Sequence, residues 1–251
     1  MVRVVINGCN GKMGKMLDEV IASMEDVVIV AGVDVEDQGI YSYPVYSSIE
    51  QCQQEVDAVI DFTIAKITDQ VLDACVAKGY PLVLCTTGLS SEQLEHVRQA
   101  SAHIPIVQSY NMSLGINTLV KLLKAAAPVL SEAGFDIELV EKHHNQKIDA
   151  PSGTALLLAD AVNEACENQY YYRYDRSSIR SKRDGKEIGI SSVRGGTIVG
   201  EHEVIFAGTD EVIELKHQAF SKAVFAKGAV QAAKFLKGKT SGVYTMQDVI
   251  Q

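Results

Sequence analysis

A β-branched run, Val2-Arg3-Val4-Val5-Ile6, leads directly into Gly8-Cys9-Asn10-Gly11-Lys12-Met13-Gly14, after which apolar residues recur at Met13, Leu17, Val20 and Ile21. No other feature of the chain restricts its fold as strongly. The first run reads as a buried strand and the spaced one as an amphipathic helix. The glycines between them remove the Cβ where the backbone must turn sharply and where strand and helix pack closely. A second β-branched run, Val27 to Val33, ends in Asp34. Together these form a βαβ unit, which implies a parallel pair and a right-handed crossover.

The alternation continues. Ala58 to Asp61, Pro81 to Cys85 and Ile104 to Val107 read as strands, with helices expected over 67–78 and 91–102. The fold class is therefore α/β, a Rossmann-type doubly wound parallel sheet. The helical stretch Leu114 to Leu130 leads out of it, and the pattern changes after about Phe135. Strands are expected over 137–142, 188–193, 203–206 and 212–216, with a hairpin turn at Gly208-Thr209-Asp210 and a helix over 155–166. The tyrosine-rich, basic stretch 170–186 reads as a long loop. The domains expected are a dinucleotide-binding domain over 1–113 and a second, α+β domain for substrate and oligomerisation over 114–219. A C-terminal segment over 220–251 should return to the first.

A glycine triplet alone is compatible with a plain strand–helix turn. With a strand before it, a helix after it and an acid closing the next strand, it points to a dinucleotide site. Helix N-termini offer N–H groups and partial positive charge to phosphates. The expected contacts are Gly8, Cys9, Asn10, Gly11, Lys12 and Met13, with Asp34 on the ribose. Two more strand ends fit the same crevice: Cys85, Thr86 and Thr87, and Ser109, Tyr110, Asn111 and Met112. Asp34 favours a free 2′-hydroxyl, and Val35 stands where an arginine would accept a 2′-phosphate. Lys12 and Lys15 could still supply cations. NADH or dual use of NADH and NADPH is the expectation.

The formal charge of −9 argues against a general nucleic-acid partner. No uninterrupted apolar run reaches the roughly 18 residues that span a bilayer, and the first strand is too short for a signal peptide, so no membrane partner and a cytoplasmic location are expected. Five cysteines, none in a Cys-x-x-Cys pair, predict neither a disulfide framework nor a metal site.

The densest polar cluster runs from Glu141 to Thr154, Glu-Lys-His-His-Asn-Gln-Lys-Ile-Asp-Ala-Pro-Ser-Gly-Thr. A histidine can donate a proton near neutral pH, and a lysine supplies a fixed charge for a carboxylate. Ser152-Gly153-Thr154 has the composition of a helix start, a second place for a carboxylate. The same residues could be a structural histidine and a plain helix cap, since adjacent residues on a strand face opposite ways.

This segment closely resembles the signature of the 4-hydroxy-tetrahydrodipicolinate reductases, formerly dihydrodipicolinate reductases: Glu-x-His-His-x-x-Lys-x-Asp-Ala-Pro-Ser-Gly-Thr-Ala. The resemblance extends to the glycine loop, Asp61-Phe62-Thr63, Cys85-Thr86-Thr87-Gly88, Asn111-Met112-Ser113-Leu114-Gly115, Arg194-Gly195-Gly196 with Gly200-Glu201-His202, and Phe225-Ala226-Lys227-Gly228-Ala229. It implies a reductase of lysine and diaminopimelate biosynthesis that uses NADH and/or NADPH. His143 would be its proton donor and Lys147 its assisting lysine. His144, Gly153 and Thr154 would bind a small dicarboxylate substrate. A homotetramer is implied too. Some members carry arginine after the acid at position 34, where this chain has Val35. Two rival readings are thiol chemistry at Cys85 and a nucleotide-sensing regulator on the same fold.

Overall fold

The computed structural model describes residues 1–250. They form two compact units, one of Met1–Leu114 with the segment from Lys222 onward, the other of Gly115–Ser221.

In the first unit the elements are β1 (Val2–Asn7), α1 (Lys12–Ala22), β2 (Val27–Val33), β3 (Val45–Tyr46), β4 (Ala58–Asp61), α2 (Thr68–Lys78), β5 (Leu82–Leu84), α3 (Ser91–Ser101) and β6 (Pro105–Gln108), and then α6 (Ala223–Leu236), β12 (Gly242–Tyr244) and α7 (Met246–Val249). The seven strands form one sheet in the order β12-β6-β5-β4-β1-β2-β3, and every pairing is parallel. Side chains alternate across it with the period of two that extended backbone imposes. Val4, Ile6, Ala58, Ile60, Val83 and Val107 join Leu17 of α1 and Ala229, Val230 and Ala233 of α6 on one face. Val5, Val59, Leu82, Leu84 and Ile106 join Leu72 and Cys75 of α2 and Val97 of α3 on the other. Burial on both faces makes these strands near-continuous apolar runs.

Chain order reverses direction at β1, with β2 on one side and β4 on the other. Because all strands are parallel, the glycine loop, Asp61-Phe62-Thr63, Cys85-Thr86-Thr87 and Ser109 to Met112 all leave the same carboxyl edge. That edge is where ligands of open α/β sheets bind.

The second unit takes up the chain within α4 (Leu114–Glu132) and contains β7 (Asp136–His143), α5 (Gly153–Ala165), β8 (Tyr171–Arg173), β9 (Glu187–Arg194), β10 (Gly200–Ala207) and β11 (Val212–Ala219). Its sheet order is β11-β10-β7-β9-β8; β7 runs antiparallel to β10 and parallel to β9. Ile137 and Leu139, Ile188 and Ile190, and Val204 and Phe206 pack on Leu119, Val120 and Leu123 of α4 and on Leu158 and Val162 of α5. Among the described residues α4 alone is long and apolar enough to cross a membrane, although Lys121 and Lys124 break its apolar run. Its apolar stripe is instead part of this core.

The stretch read as a loop over 170–186 contains β8, which pairs in parallel with β9 at the sheet edge. Three residues are too few for any periodicity to reveal, and the same holds for β3 and β12.

Candidate active site

The polar site of the second unit continues its core. Along β7 every second residue is buried: Ile137, Leu139, Glu141, His143. The first two contact the helices; the next two carry titratable groups onto the same face. Strand geometry alone therefore puts Glu141 and His143 side by side, with Glu141 Oε2 2.6 Å from His143 Nδ1.

Glu141 is fully buried. Arg194, paired with His143 in the β7–β9 register, reaches back to hold it bidentately, with contacts of 2.8 and 2.7 Å. The backbone N–H of Ser152 donates to Glu141 Oε1 at 3.1 Å. Burial alone would push the Glu141 carboxyl up, but the Arg194 fork, His143 and Ser192 override it and hold the carboxyl at about 2. An ionised carboxylate only accepts, so Nδ1 of His143 carries the hydrogen and Nε2 presents a lone pair. Burial lowers the proton affinity of His143; Glu141 opposes this, while Lys147 and Arg194 add to it. Beyond Nε2 the backbone of β10 comes close: a methyl group at Gly200 would lie 3.1 Å away.

The chain leaves β7 in a turn that places His144 and Lys147 on a segment tied to β9. The Gly195 N–H donates to the His143 carbonyl at 2.9 Å and the Asn145 N–H to that of Gly196 at 3.2 Å. Lys147 Nζ lies 2.7 Å from Asp149 Oδ1, which lowers the Asp149 carboxyl. Arg194 also donates to the Asp149 carbonyl at 2.5 Å. The segment then enters α5. Ser152 is the N-cap, its Oγ accepting the N–H of Ala155 at 3.1 Å. Gly153 is exposed with open space where a side chain would stand, and Thr154 is half-buried. His143, Lys147, the half-buried His144 and the start of α5 thus lie within one strand–turn–helix. Its chemistry is a polarised imidazole, the Lys147 cation paired to Asp149, and a helix N-terminus, suited to an anion that must receive a proton. Sequence reasoning assigned no role to Glu141, Arg194, Asp149 or His202, and read Ser152 as part of the helix start. The i, i+2 spacing of Glu141 and His143 was the available signal for the first.

The carboxyl edge of the first unit fits a dinucleotide. Gly8 has φ +82°, a conformation suited to glycine, and a methyl group at Gly14 would collide with the carbonyls of Gly8 and Cys9. Gly11, the N-cap of α1, has no capping side chain and the first turn holds no acid, leaving its N–H groups for phosphate. Lys12 and Lys15 are exposed and Met13 is half-buried. Asp34 is half-buried; its Oδ2 accepts the Asn10 N–H at 2.9 Å and its Oδ1 the Val35 N–H at 2.8 Å. It therefore braces the glycine loop in addition to any ribose contact. Asp61 is a second hub: Asn7 Nδ2 and Thr63 Oγ1 each donate to it at 2.7 Å and Thr86 Oγ1 at 2.6 Å. Burial raises the Asp61 carboxyl, and these donors oppose it.

Several side chains expected at the cofactor turn inward. Thr86 gives its hydroxyl to Asp61, and Cys9, Cys85, Asn111 and Met112 are buried. Their backbones, not their side-chain tips, are what the edge offers. Thr87 and Tyr110 are exposed and Ser109 is half-buried. The Cys85 sulfur faces the Val83 carbonyl at 3.8 Å, and burial pushes its thiol well up. Burial in apolar surroundings and a raised thiol argue against a nucleophilic thiolate there.

Two family models match the chain. The one described as "Dihydrodipicolinate reductase, N-terminus" covers residues 2–112 and the one described as "Dihydrodipicolinate reductase, C-terminus" covers 115–250. The chain is 49% identical over 251 residues to the 4-hydroxy-tetrahydrodipicolinate reductase of Caldanaerobacter subterraneus subsp. tengcongensis, covering 100% of this chain and 99% of the other. It is 46% identical, with the same coverage, to that of Clostridium novyi. Among solved structures it is similar to the dipicolinate-bound dihydrodipicolinate reductase of Paenisporosarcina sp. TG-14, with a TM-score of 0.80 at 24% identity and full coverage of both chains.

Proposed function

From these matches it follows that the chain belongs to the dihydrodipicolinate reductase family, and on that premise we propose that it reduces 4-hydroxy-tetrahydrodipicolinate, with His143 as proton donor and Lys147 assisting. The overall change is balanced: substrate, NAD(P)H and a proton give tetrahydrodipicolinate, NAD(P)+ and water. The nicotinamide, when bound, supplies the hydride. The chain's residues do the rest. The substrate's carboxylates are received by His144, Lys147 and the start of α5 at Gly153 and Thr154. Lys147 exchanges part of its contact with Asp149 for a substrate carboxylate. A dianion beside His143 offsets the field of Lys147 and Arg194, so Nε2 takes up the proton that it then donates to the enamine-like carbon or nitrogen.

The observation that carries this reading is the Glu141–His143 pair clamped by Arg194, one turn from an open helix start. For the cofactor, Gly8 to Met13 and Asp34 hold the dinucleotide, with the backbones of Cys85 to Thr87 and Ser109 to Met112 along the same edge. Asp34 and Val35 favour NADH, with dual use through Lys12 and Lys15. Five buried, unpaired cysteines support a reducing, cytoplasmic setting. Assembly into a homotetramer is carried over from the family resemblance alone. The test of the reaction is oxidation of NADH and NADPH, side by side, with enzymatically generated substrate. No oxidation of either would end the proposal.

A further inference from the structure

Ser152 is held at three points. Its N–H donates to Glu141 Oε1, its Oγ accepts the Ala155 N–H, and the same Oγ lies 3.0 Å from Nε2 of His202. His202 sits on β10, directly across from Glu141 in the β7–β10 register. It is 4% exposed and stands edge-on to the His143 ring, with centroids 5.1 Å apart at 73°. The residue that starts α5 and the residue proposed to donate the proton therefore share two braces. One is Glu141; the other is His202.

We propose that His202 is a positioning residue, holding the carboxylate-receiving start of α5 at a set distance from Nε2 of His143. Ser152 Oγ already accepts from Ala155, so its hydroxyl hydrogen needs an acceptor. Nε2 of a neutral His202 supplies one in the tautomer we assign, with the ring hydrogen on Nδ1. Burial, with His143 adding to it, keeps His202 neutral, at about 3, so this acceptor persists throughout the range in which enzymes work. The fixed spacing selects substrates whose protonated atom lies close to a carboxylate-bearing carbon. Misplacement of such groups by 1 Å costs on the order of 10²-fold in rate.

The inference rests on the proposed roles of His143 and the α5 start, so its test is read first from binding. Dipicolinate is titrated into wild type, His202→Leu and His202→Gln, and kcat, KM and the NADH Kd are measured on the same proteins. In His202→Leu the dipicolinate Kd and the substrate KM rise about tenfold, the size of one hydrogen bond, with the NADH Kd unchanged. His202→Gln, whose amide oxygen can still accept the Ser152 hydroxyl, returns binding to within about threefold of wild type. If His202→Leu does not fold, His202→Asn replaces it, being polar but too short to reach Ser152 Oγ. An affinity in Leu (or Asn) within about twofold of wild type overturns the inference, as does a Gln variant no better than Leu or a wild type that binds no dipicolinate. Wild type that binds dipicolinate but oxidises neither NADH nor NADPH would sink the reaction proposed above. The inference would still be decided by the ratio among the variants.

Discussion

Replacing Glu141 by glutamine keeps the shape of the side chain and removes its charge. The wild-type carboxylate receives His143 Nδ1, both terminal nitrogens of Arg194 and the Ser152 N–H. A glutamine has one accepting oxygen, so its NH₂ must face a donor. Two routes give the cost. The folded carboxyl at about 2, against its ordinary 4.5, corresponds to about 3 kcal/mol of stability. Breaking a buried pair by removing one partner costs about 3–5 kcal/mol. For a chain of this size about 3 kcal/mol lowers the melting temperature by roughly 6–12 °C. The sign with pH follows from the depressed carboxyl. Its stabilisation is complete above 4.5 and is lost as pH falls towards 2, so wild type and variant converge in acid. Glu141 also raises the proton affinity of His143 against burial. In the variant, the pH above which kcat/KM declines therefore moves down. Turnover at neutral pH should fall within the roughly 10²–10⁴-fold span of a general acid. Thermal melts between pH 2 and 7, an NMR titration of His143 and a kcat/KM–pH profile measure these effects. A His143 titration that is unmoved or moves up, or a neutral-pH melting point unchanged in the variant, would refute the reasoning.

Four further outcomes are expected. His143→Ala should lower kcat by about 10²–10⁴-fold while leaving the cofactor Kd intact; turnover within a few-fold of wild type would remove His143 as donor. Lys147→Ala should damage kcat and KM together, with cofactor titration by fluorescence nearly unchanged. A selective loss of cofactor affinity would put Lys147 in another pocket. Asp34→Ser with Val35→Arg should shift the kcat/KM ratio from NADH towards NADPH by about 1–3 kcal/mol. It should also weaken NADH itself, because Asp34 braces the Asn10 N–H; a flat ratio would show that Asp34 serves only the loop. Gly14→Ala should abolish cofactor binding and lower the melting temperature, since its methyl meets the carbonyls of Gly8 and Cys9. Unchanged NADH affinity by calorimetry would contradict that packing.

The parallel sheet was legible because its signals are local. Val2 to Ile6, the glycines and Val27 to Val33 state strand, turn and strand in residue types alone, and their near-continuous apolar runs mark strands covered on both faces. The two-residue β3 and the three-residue β8 and β12 were not, because their existence depends on a neighbour's open edge. The strand–turn–helix bearing His143, Lys147 and Gly153 was likewise visible as one run of residues. What turns that run into a site was not. Arg194 lies 53 positions from Glu141 and His202 50 positions from Ser152. Asp61, between Asn7, Thr63 and Thr86, joins three strand ends. The direction in which Thr86, Cys85 and Met112 point was also beyond reach, since a strand end leaves either face open to the next residue. Residue type and local period thus determined the elements and the kind of chemistry. Sheet register decided which polar groups meet, because only the folded sheet brings distant side chains within hydrogen-bonding distance and away from water.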